Sequence, residues 1–359
     1  MEKVLLGMSG GVDSSAAAVL LQRQGYQVTG CTLRLFDNAV VGREWESTCC
    51  SLEDVEAARS AADRLGMDHF PFNFSAAFRR EVLEPFAADY AAGRTPNPCI
   101  ACNRGVKFAA LLQRAKELGF DYIATGHYAR LRRDAATGRY QLLRGADEAK
   151  DQSYFLYPLG QEVLSRLLLP LGDYGKGEIR AMAAAAGLES AHRPDSQDIC
   201  FVPDGDYMAF LRRFGAPVGE PGDFVDVHGC VLGRHRGLPA YTKGQRRGLG
   251  VSADRPLYVV AKDQARNQVV LGDDDALYSG ALTAEDFNWV SIPCPTGAIR
   301  GEAKIRHSRH SAPAEAQVLR DGRVRVRFDT PQRAVTPGQS VVLYDGDMVL
   351  GGGIIAEAE

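Results

Sequence analysis

The stretch Ser9-Gly10-Gly11-Val12-Asp13-Ser14-Ser15 constrains this chain more than any other, because of what lies on either side of it. KVLLGM (Lys3 to Met8) before it reads as a short buried strand. SSAAAVLLQRQG (Ser14 to Gly25) after it carries helical apolar spacing and ends on a helix-stopping glycine. Strand, glycine loop and helix make the geometry in which backbone N–H groups and the positive end of a helix hold a phosphate. Gly10 and Gly11 leave room for close approach, Ser9, Ser14 and Ser15 add hydroxyl donors, and Asp13 has the carboxylate for a magnesium ion. No Gly-Lys-Ser/Thr follows and the spacing is not GxGxxG, which sets the loop apart from Walker A and dinucleotide fingerprints. The bland alternative is a glycine turn in front of a helix.

Residues 1–205 alternate strand-like and helix-like segments, as a parallel sheet with crossover helices does. YQVTGCTLRLF (Tyr26 to Phe36) and HFPFNF (His69 to Phe74) read as strands, with a helix from Ser51 to Gly66 between them and another after Phe74 through Tyr90. RGVKFAALLQRAKELG (Arg104 to Gly119) reads as a helix and DYIATGHYAR (Asp121 to Arg130) as one strand. Ligands in such sheets sit outside the carboxyl ends of the strands, so Gly10 and the Gly126–His127 pair are expected to face one crevice. From residue 206 to 277 short segments punctuated by glycine, proline and basic residues read as a small middle domain. Residues 278–359 read as an antiparallel β-barrel: Val324, Val326 and Phe328 alternate after an Asp321–Gly322 turn, and Asp345–Gly346 repeats the device.

At 359 residues the chain is long enough for two or three cores, and 45% hydrophobic with 24% charged residues is ordinary for a globular protein. No apolar run has the length of a membrane span, and MEKVLL is too short for a signal sequence. Eight cysteines scattered over this length are not a secreted disulfide framework, so a cytoplasmic enzyme with free thiols is expected. The net charge of −3 excludes nothing, but its distribution is uneven. Gly229–Ala253 contains Arg234, Arg236, Lys243, Arg246 and Arg247 and no acidic residue; Arg300, Lys304, Arg306 and Arg309, with His307 and His310, form a second cluster. Such runs are solvated faces or phosphate-backbone contacts.

Cys99 and Cys102 form a C-x-x-C in GRTPNPCIACNRGVKF, read as a proline-rich loop ahead of the Arg104 helix. A helix N-terminus with Arg104 and Lys107 nearby is expected to lower the Cys102 thiol pKa. Cys200 lies in RPDSQDICFVPDGD. The vicinal Cys49–Cys50 pair has no spacing argument behind it. No second C-x-x-C or histidine pair completes a zinc site.

The order Ser-Gly-Gly-Val-Asp-Ser-Ser resembles the pyrophosphate loop of the ATP pyrophosphatase (PP-loop) superfamily. GRTPNPxxxCN, ATGHYAR, KDQSYFLYPL (Lys150 to Leu159), DSQDICF, TKGQRRGLG, TPGQSVVLYDG and LGGGII run in the order of the bacterial tRNA-specific 2-thiouridylase family, which the whole chain resembles. That resemblance implies a PP-loop α/β domain, a small central domain and a C-terminal β-barrel. It implies ATP-dependent adenylation of the C2 oxygen of a tRNA wobble uridine, with magnesium and with sulfur from a cysteine desulfurase or relay protein. By motif position it implies Cys102 as nucleophile and Cys200 as persulfide carrier. It places Gly7, Met8, Ser9, Gly10, Gly11, Val12, Asp13, Ser14, Leu33 and Gly126 on the nucleotide, and Asn97, His127, Lys150, Asp151, Gln152, Arg306, His307 and Gln339 on tRNA or its target base. Read without the resemblance, KDQ is a capped helix start and His127 a satisfied strand-end histidine.

One departure matters. Many members of that family have Asp where this chain has Cys99. Cys99, Cys102 and Cys200 together supply three thiolates, the set for a 4Fe-4S cluster with one open iron, while a spare thiol fits a persulfide route equally well. Two other readings compete with thiolation. One is a PP-loop ligase that adenylates a carboxylate or another tRNA base, which has no need of Cys102 and Cys200. The other is a non-catalytic tRNA-binding or sulfur-carrier protein, in which an intact phosphate loop is superfluous.

Overall fold

A computed structural model describes residues 1–36, 52–194, 199–202 and 204–359. The chain begins with β1 (Lys3–Gly7), followed by a helix over Val12–Arg23 and then β2 (Gln27–Arg34), β3 (His69–Asn73) and β4 (Tyr122–Ala124). A hairpin of β5 (Ala129–Arg133) and β6 (Tyr140–Arg144) precedes β7 (Leu167–Leu168). The first sheet is parallel throughout, in the order β3-β2-β1-β4-β7. β1 is apolar on both faces because both are covered: Val4 and Leu6 pack into one cluster with the Val12–Arg23 helix, Leu5 into another with Leu111 and Ile123. Strand order reverses at β1, which pairs with β2 on one side and β4 on the other, so the crevice beyond its carboxyl end is the ligand position of such a sheet.

A helix over Tyr207–Phe214 opens the middle region; Asp206 caps it by accepting the Ala209 N–H at 2.9 Å, and Gly215 ends it at φ 77°. Strands β8 (Gly222–Val225), β9 (Val231–His235), β10 (Tyr258–Asp263) and β11 (Gln268–Gly272) form a sheet in the order β10-β11-β8-β9. Phe210 packs edge-on against Phe86 and tilted against Phe201, so this region shares a core with the first.

Strands β12 (Tyr278–Asn288), β13 (Ile299–Lys304), β14 (Ala312–Val318), β15 (Val324–Arg333), β16 (Ser340–Asp345) and β17 (Met348–Ala358) follow the order β12-β15-β14-β13-β16-β17, and β12 pairs with β17 to close a barrel. Val324, Val326 and Phe328 fill its interior, and both anticipated hairpins form, with Gly322 and Gly346 at positive φ.

The structure divides the segment expected as one strand over 121–130. β4 ends at Ala124, and β5 with β6 extends the barrel sheet through the Leu143–Met348 register. The cause is Gly126: a Cβ there would lie 2.8 Å from the Asp13 carbonyl carbon, so the chain turns hard against the glycine loop instead of running on. Ser51, Cys49 and Cys50 lie outside the described residues, as does Asp195–Asp198 of the DSQDICF element.

Candidate active site

The glycine loop leaves β1 with Met8 buried, its N–H donating to the Cys31 carbonyl at 2.7 Å and its own carbonyl accepting from Thr32 Oγ1 at 2.9 Å. Gly10 sits at φ 76°, and a Cβ on it would stand 2.6 Å from the Asp54 carbonyl oxygen, so only glycine fits. Gly11 is the N-cap of the Val12–Arg23 helix and offers no side chain to its free N–H groups. Ser14 and Ser15 differ from expectation. Their hydroxyls donate to the Gly11 carbonyl at 3.1 and 3.0 Å, and Ser14 Oγ accepts the Ser9 N–H at 3.2 Å. They shape the loop, while Ser9 is exposed at its rim. Gly126 packs directly on Asp13 and Ser14, which brings the ends of β1 and β4 to one crevice as anticipated. Leu33, on β2, is half-buried against the cores beside it.

Asp13 stands in the first turn of the helix with both oxygens engaged. Lys176 Nζ donates at 2.7 and 2.8 Å, and the Tyr128 hydroxyl donates to Oδ1 at 2.6 Å. Sequence reading missed both partners. Lys176 opens the Lys176–Ala185 helix behind Gly175, and its position repeats the pattern of β1: strand, glycine, then a helix N-terminus, here after the two-residue β7. Both Asp13 oxygens are thus taken by the ammonium and the hydroxyl, and the carboxylate remains 35% exposed to the crevice.

Cys99 and Cys102 lie in a helix rather than the loop expected. Asn97 is its N-cap, accepting the Ile100 N–H at 3.4 Å, and the run is α-helical over Pro98–Cys102, π-helical over Asn103–Ala110 and α-helical again over Leu111–Glu117. Cys99 is exposed and Cys102 is 5% exposed. Burial pushes the Cys102 thiol up to about 11, beyond what the Lys107 ammonium and the Lys107 backbone N–H recover, which overturns the expected lowering. The Lys107 backbone N–H bonds to the sulfur five residues before it, within the π-helical stretch. Cys200 is half-buried and packs against the same apolar cluster that contains Cys102. An iron-sulfur site is not assembled here: among the described residues no three His, Cys, Asp or Glu side chains converge on a metal-sized site.

His127 is half-buried, its Nδ1 bonded with Thr125 Oγ1 at 2.8 Å and its ring tilted over Phe108. Desolvation, then the Lys107 charge, hold its pKa down to about 3, so it is a neutral imidazole. The KDQ segment is mostly internal. Asp151 is buried, with Oδ1 accepting from the Gly145 and Ser153 N–H groups at 3.1 and 3.0 Å and Oδ2 from Ser153 Oγ at 3.0 Å. Gln152 accepts the Tyr128 N–H at 2.9 Å. Asp151 and the Gln152 Oε1 thus hold the framework together, and Lys150 is half-buried. Phe155 beyond them carries the exposed His307 ring at 4.5 Å, and Arg306 beside it is exposed and donates to the Arg333 carbonyl. The structure thus brings the KDQSYF segment and the Arg306–His307 turn together. Gln339 points elsewhere, donating from Nε2 to the Thr95 carbonyl at 2.9 Å.

The basic clusters divide in the same way. Lys304 is buried 3.8 Å from Asp151, Arg300 pairs with Asp329, and Arg234 with Asp223. Arg246, Arg247 and Arg309 are exposed. Among the described residues no helix is long and apolar enough to cross a membrane.

Against known proteins, residues 2–204 match the tRNA methyl transferase HUP domain, residues 209–273 the tRNA methyl transferase PRC-barrel domain, and residues 279–355 the aminomethyltransferase β-barrel domain. The chain is 51% identical to a tRNA-specific 2-thiouridylase of Roseiflexus castenholzii, over 99% of this chain and 100% of that protein. It is 50% identical to the protein of that name from Acetivibrio thermocellus, over 99% of each chain, and 46% identical to that of Clostridioides difficile, again over 99% of each. Among solved structures, a 4-thiouridine synthetase–RNA complex with bound ATP aligns at a TM-score of 0.39 and 20% identity, over 59% of this chain and 50% of that one.

Proposed function

This chain belongs to the tRNA-specific 2-thiouridylase family, and we propose that it uses ATP to exchange the C2 oxygen of a tRNA wobble uridine for sulfur. The observation that carries the reading is the glycine loop at the sheet's switch point, backed by Gly126 and flanked by Asp13 and Lys176.

A uracil carbonyl oxygen is a very poor leaving group, and adenylation changes that. O2 attacks the α-phosphorus of ATP, an O–P bond forms, and pyrophosphate departs. The free N–H groups of the loop and the Val12–Arg23 helix receive its charge. Asp13 is the residue that would hold magnesium, whose charge offsets that of the phosphates. Lys176 is placed to give its proton-rich head to the same oxygens.

Sulfur then arrives as a nucleophile. The terminal sulfur of a persulfide on Cys200 attacks C2, the C2–O bond breaks, and AMP leaves with that oxygen. Cys102 attacks Cys200 Sγ as its thiol proton passes to the departing 2-thiouracil, the sulfur–sulfur bond to the base breaks, and 2-thiouridine leaves with the electron pair. A Cys102–Cys200 disulfide remains, and a dithiol reductant returns it to two thiols. The shared packing of Cys102 and Cys200 supports this order, and a cysteine desulfurase or relay protein reloads Cys200. Cys99 takes no part.

Residues 1–205 form the adenylating domain, 206–277 the central domain and 278–359 the barrel. Arg246, Arg247, Arg306, His307 and Lys150 receive the tRNA, and tRNA as substrate places the protein in the cytoplasm. The test is AMP and pyrophosphate release with tRNA present, repeated with a persulfide donor. Release that depends on tRNA, together with 2-thiouridine in digested tRNA, supports the reading. Release triggered by a carboxylate or amine in place of tRNA makes the protein a ligase.

A further inference from the structure

The segment leading into the Cys102 helix is held from outside its own domain. Thr95 has both backbone polar groups taken by one turn of the barrel: its N–H donates to the Pro337 carbonyl at 3.0 Å, and its carbonyl accepts from Gln339 Nε2 at 2.9 Å. Between those two residues Gly338 sits at φ 90°, and a Cβ on it would lie 2.8 Å from the Thr95 nitrogen and 3.0 Å from Arg94 Cβ. The turn is itself fixed to the barrel wall. The Gly338 N–H donates to the Ile355 carbonyl at 2.9 Å, and the Ile355 N–H to the Gln339 carbonyl at 2.8 Å. From the other side Gln264 of the central region donates to the Ala91 carbonyl at 3.1 Å.

We infer that the Pro337–Gln339 turn is the positioning element for the Cys102 helix, so that the barrel sets the place of the nucleophile. This rests on the thiolation reading for its functional arm. The physical chain is short. Pro96 and Pro98 fix two φ angles and restrict the residues before them, so Thr95, Asn97 and the first helical turn move as one stiff unit. The Asn97 cap bond is long at 3.4 Å and holds the helix start weakly by itself. A contact at Thr95 therefore governs where Cys99 and Cys102 stand. An arm of the molecule that meets tRNA through Arg306 and His307 is in this way joined to the residue that transfers sulfur.

The test is Gly338→Ala, compared with Gly346→Ala, which strains a barrel turn at φ 55° but meets nothing within 4 Å. In tRNA-free protein, amide hydrogen exchange at Thr95 and through the 94–99 segment should rise about tenfold or more in Gly338→Ala and stay unchanged in Gly346→Ala. Gln339→Ala, which removes one side-chain bond without strain, should give a smaller rise in the same segment, and it stands in if Gly338→Ala does not fold. With tRNA, Gly338→Ala should lower kcat for thiolation about tenfold or more while the first-turnover release of pyrophosphate and AMP keeps its rate, since a misplaced Cys102 slows only the step that follows AMP departure. Unchanged exchange in 94–99 for both Gly338→Ala and Gln339→Ala overturns the inference whatever the protein's activity. Faster exchange with an unchanged kcat overturns the positioning role.

Discussion

Replacing Lys176 with methionine keeps the bulk of the side chain and removes the ammonium from Asp13. The pair is well formed, with Nζ at 2.7 and 2.8 Å from the two oxygens and the lysine side chain 13% exposed. A hydrogen bond to a charged group contributes about 1.5–3 kcal/mol. Asp13 is 35% exposed, so water takes over part of the loss, and the Tyr128 hydroxyl keeps its bond at 2.6 Å. That leaves a destabilisation of about 2 kcal/mol, below the 3–5 kcal/mol of a fully buried broken pair. Urea unfolding measures it, and Asp13→Asn with the double variant completes a cycle in which the two single effects should fail to add. If Lys176 also meets the phosphates, the same 2 kcal/mol lowers the rate of tRNA-dependent AMP release about thirtyfold. Stability within a few tenths of a kcal/mol of the parent, additive effects in the cycle and AMP release within twofold would together refute the reasoning.

Asp13→Ala should abolish AMP release while tRNA affinity holds within a few fold, read by pyrophosphate release and filter binding. Arg246→Glu with Arg247→Glu should weaken tRNA binding and reduce the slope of log K against log salt by about one per lost phosphate contact; an unchanged slope assigns these arginines to a solvated face. Cys102→Ser and Cys200→Ser should each eliminate 2-thiouridine, whereas Cys99→Ser and Cys99→Asp should keep most of it with a reductant present. A collapse for Cys99 variants, or stoichiometric iron and acid-labile sulfide in anaerobic protein, counts against the persulfide route. His127 has its folded pKa depressed to about 3 from 6.5, so below pH 6.5 the unfolded chain takes up a proton that the folded chain refuses. Stability should therefore fall as pH drops from 6.5 towards 3, at up to about 1.4 kcal/mol per unit relative to His127→Gln, and an identical pH profile in the variant would show that the ring is freely protonated.

The glycine loop was legible because its residues obey local rules: β1 is short and apolar, Gly10 needs a positive φ, and the helix follows at once. The barrel hairpins were legible through Asp-Gly turns between alternating strands. The cysteine segment misled because Pro96 and Pro98 look like helix breakers, yet Pro98 sits at the first helical position, where its missing N–H has no partner to lose. The break after Ala124 depends on Asp13, more than a hundred residues away, and no periodicity in 121–130 records that contact. Motif position alone places Asp151 on tRNA, and nothing local in Lys150–Gln152 signals how it packs. Its burial comes from Gly145, Ser153 and Lys304, the last on a barrel strand. Lys176 carried a faint signal in the Gly-Lys start of a helix after an apolar pair, but only the fold puts it on Asp13.

Adenylation of the C2 oxygen has a direct isotopic consequence. In tRNA carrying oxygen-18 at C2 of the wobble uridine, a single turnover with ATP and a persulfide donor should leave the label in the phosphate of AMP, one atom for each 2-thiouridine formed. Thiolated tRNA accompanied by unlabelled AMP, with the label in water or retained on the base, would contradict the proposed activation of that oxygen.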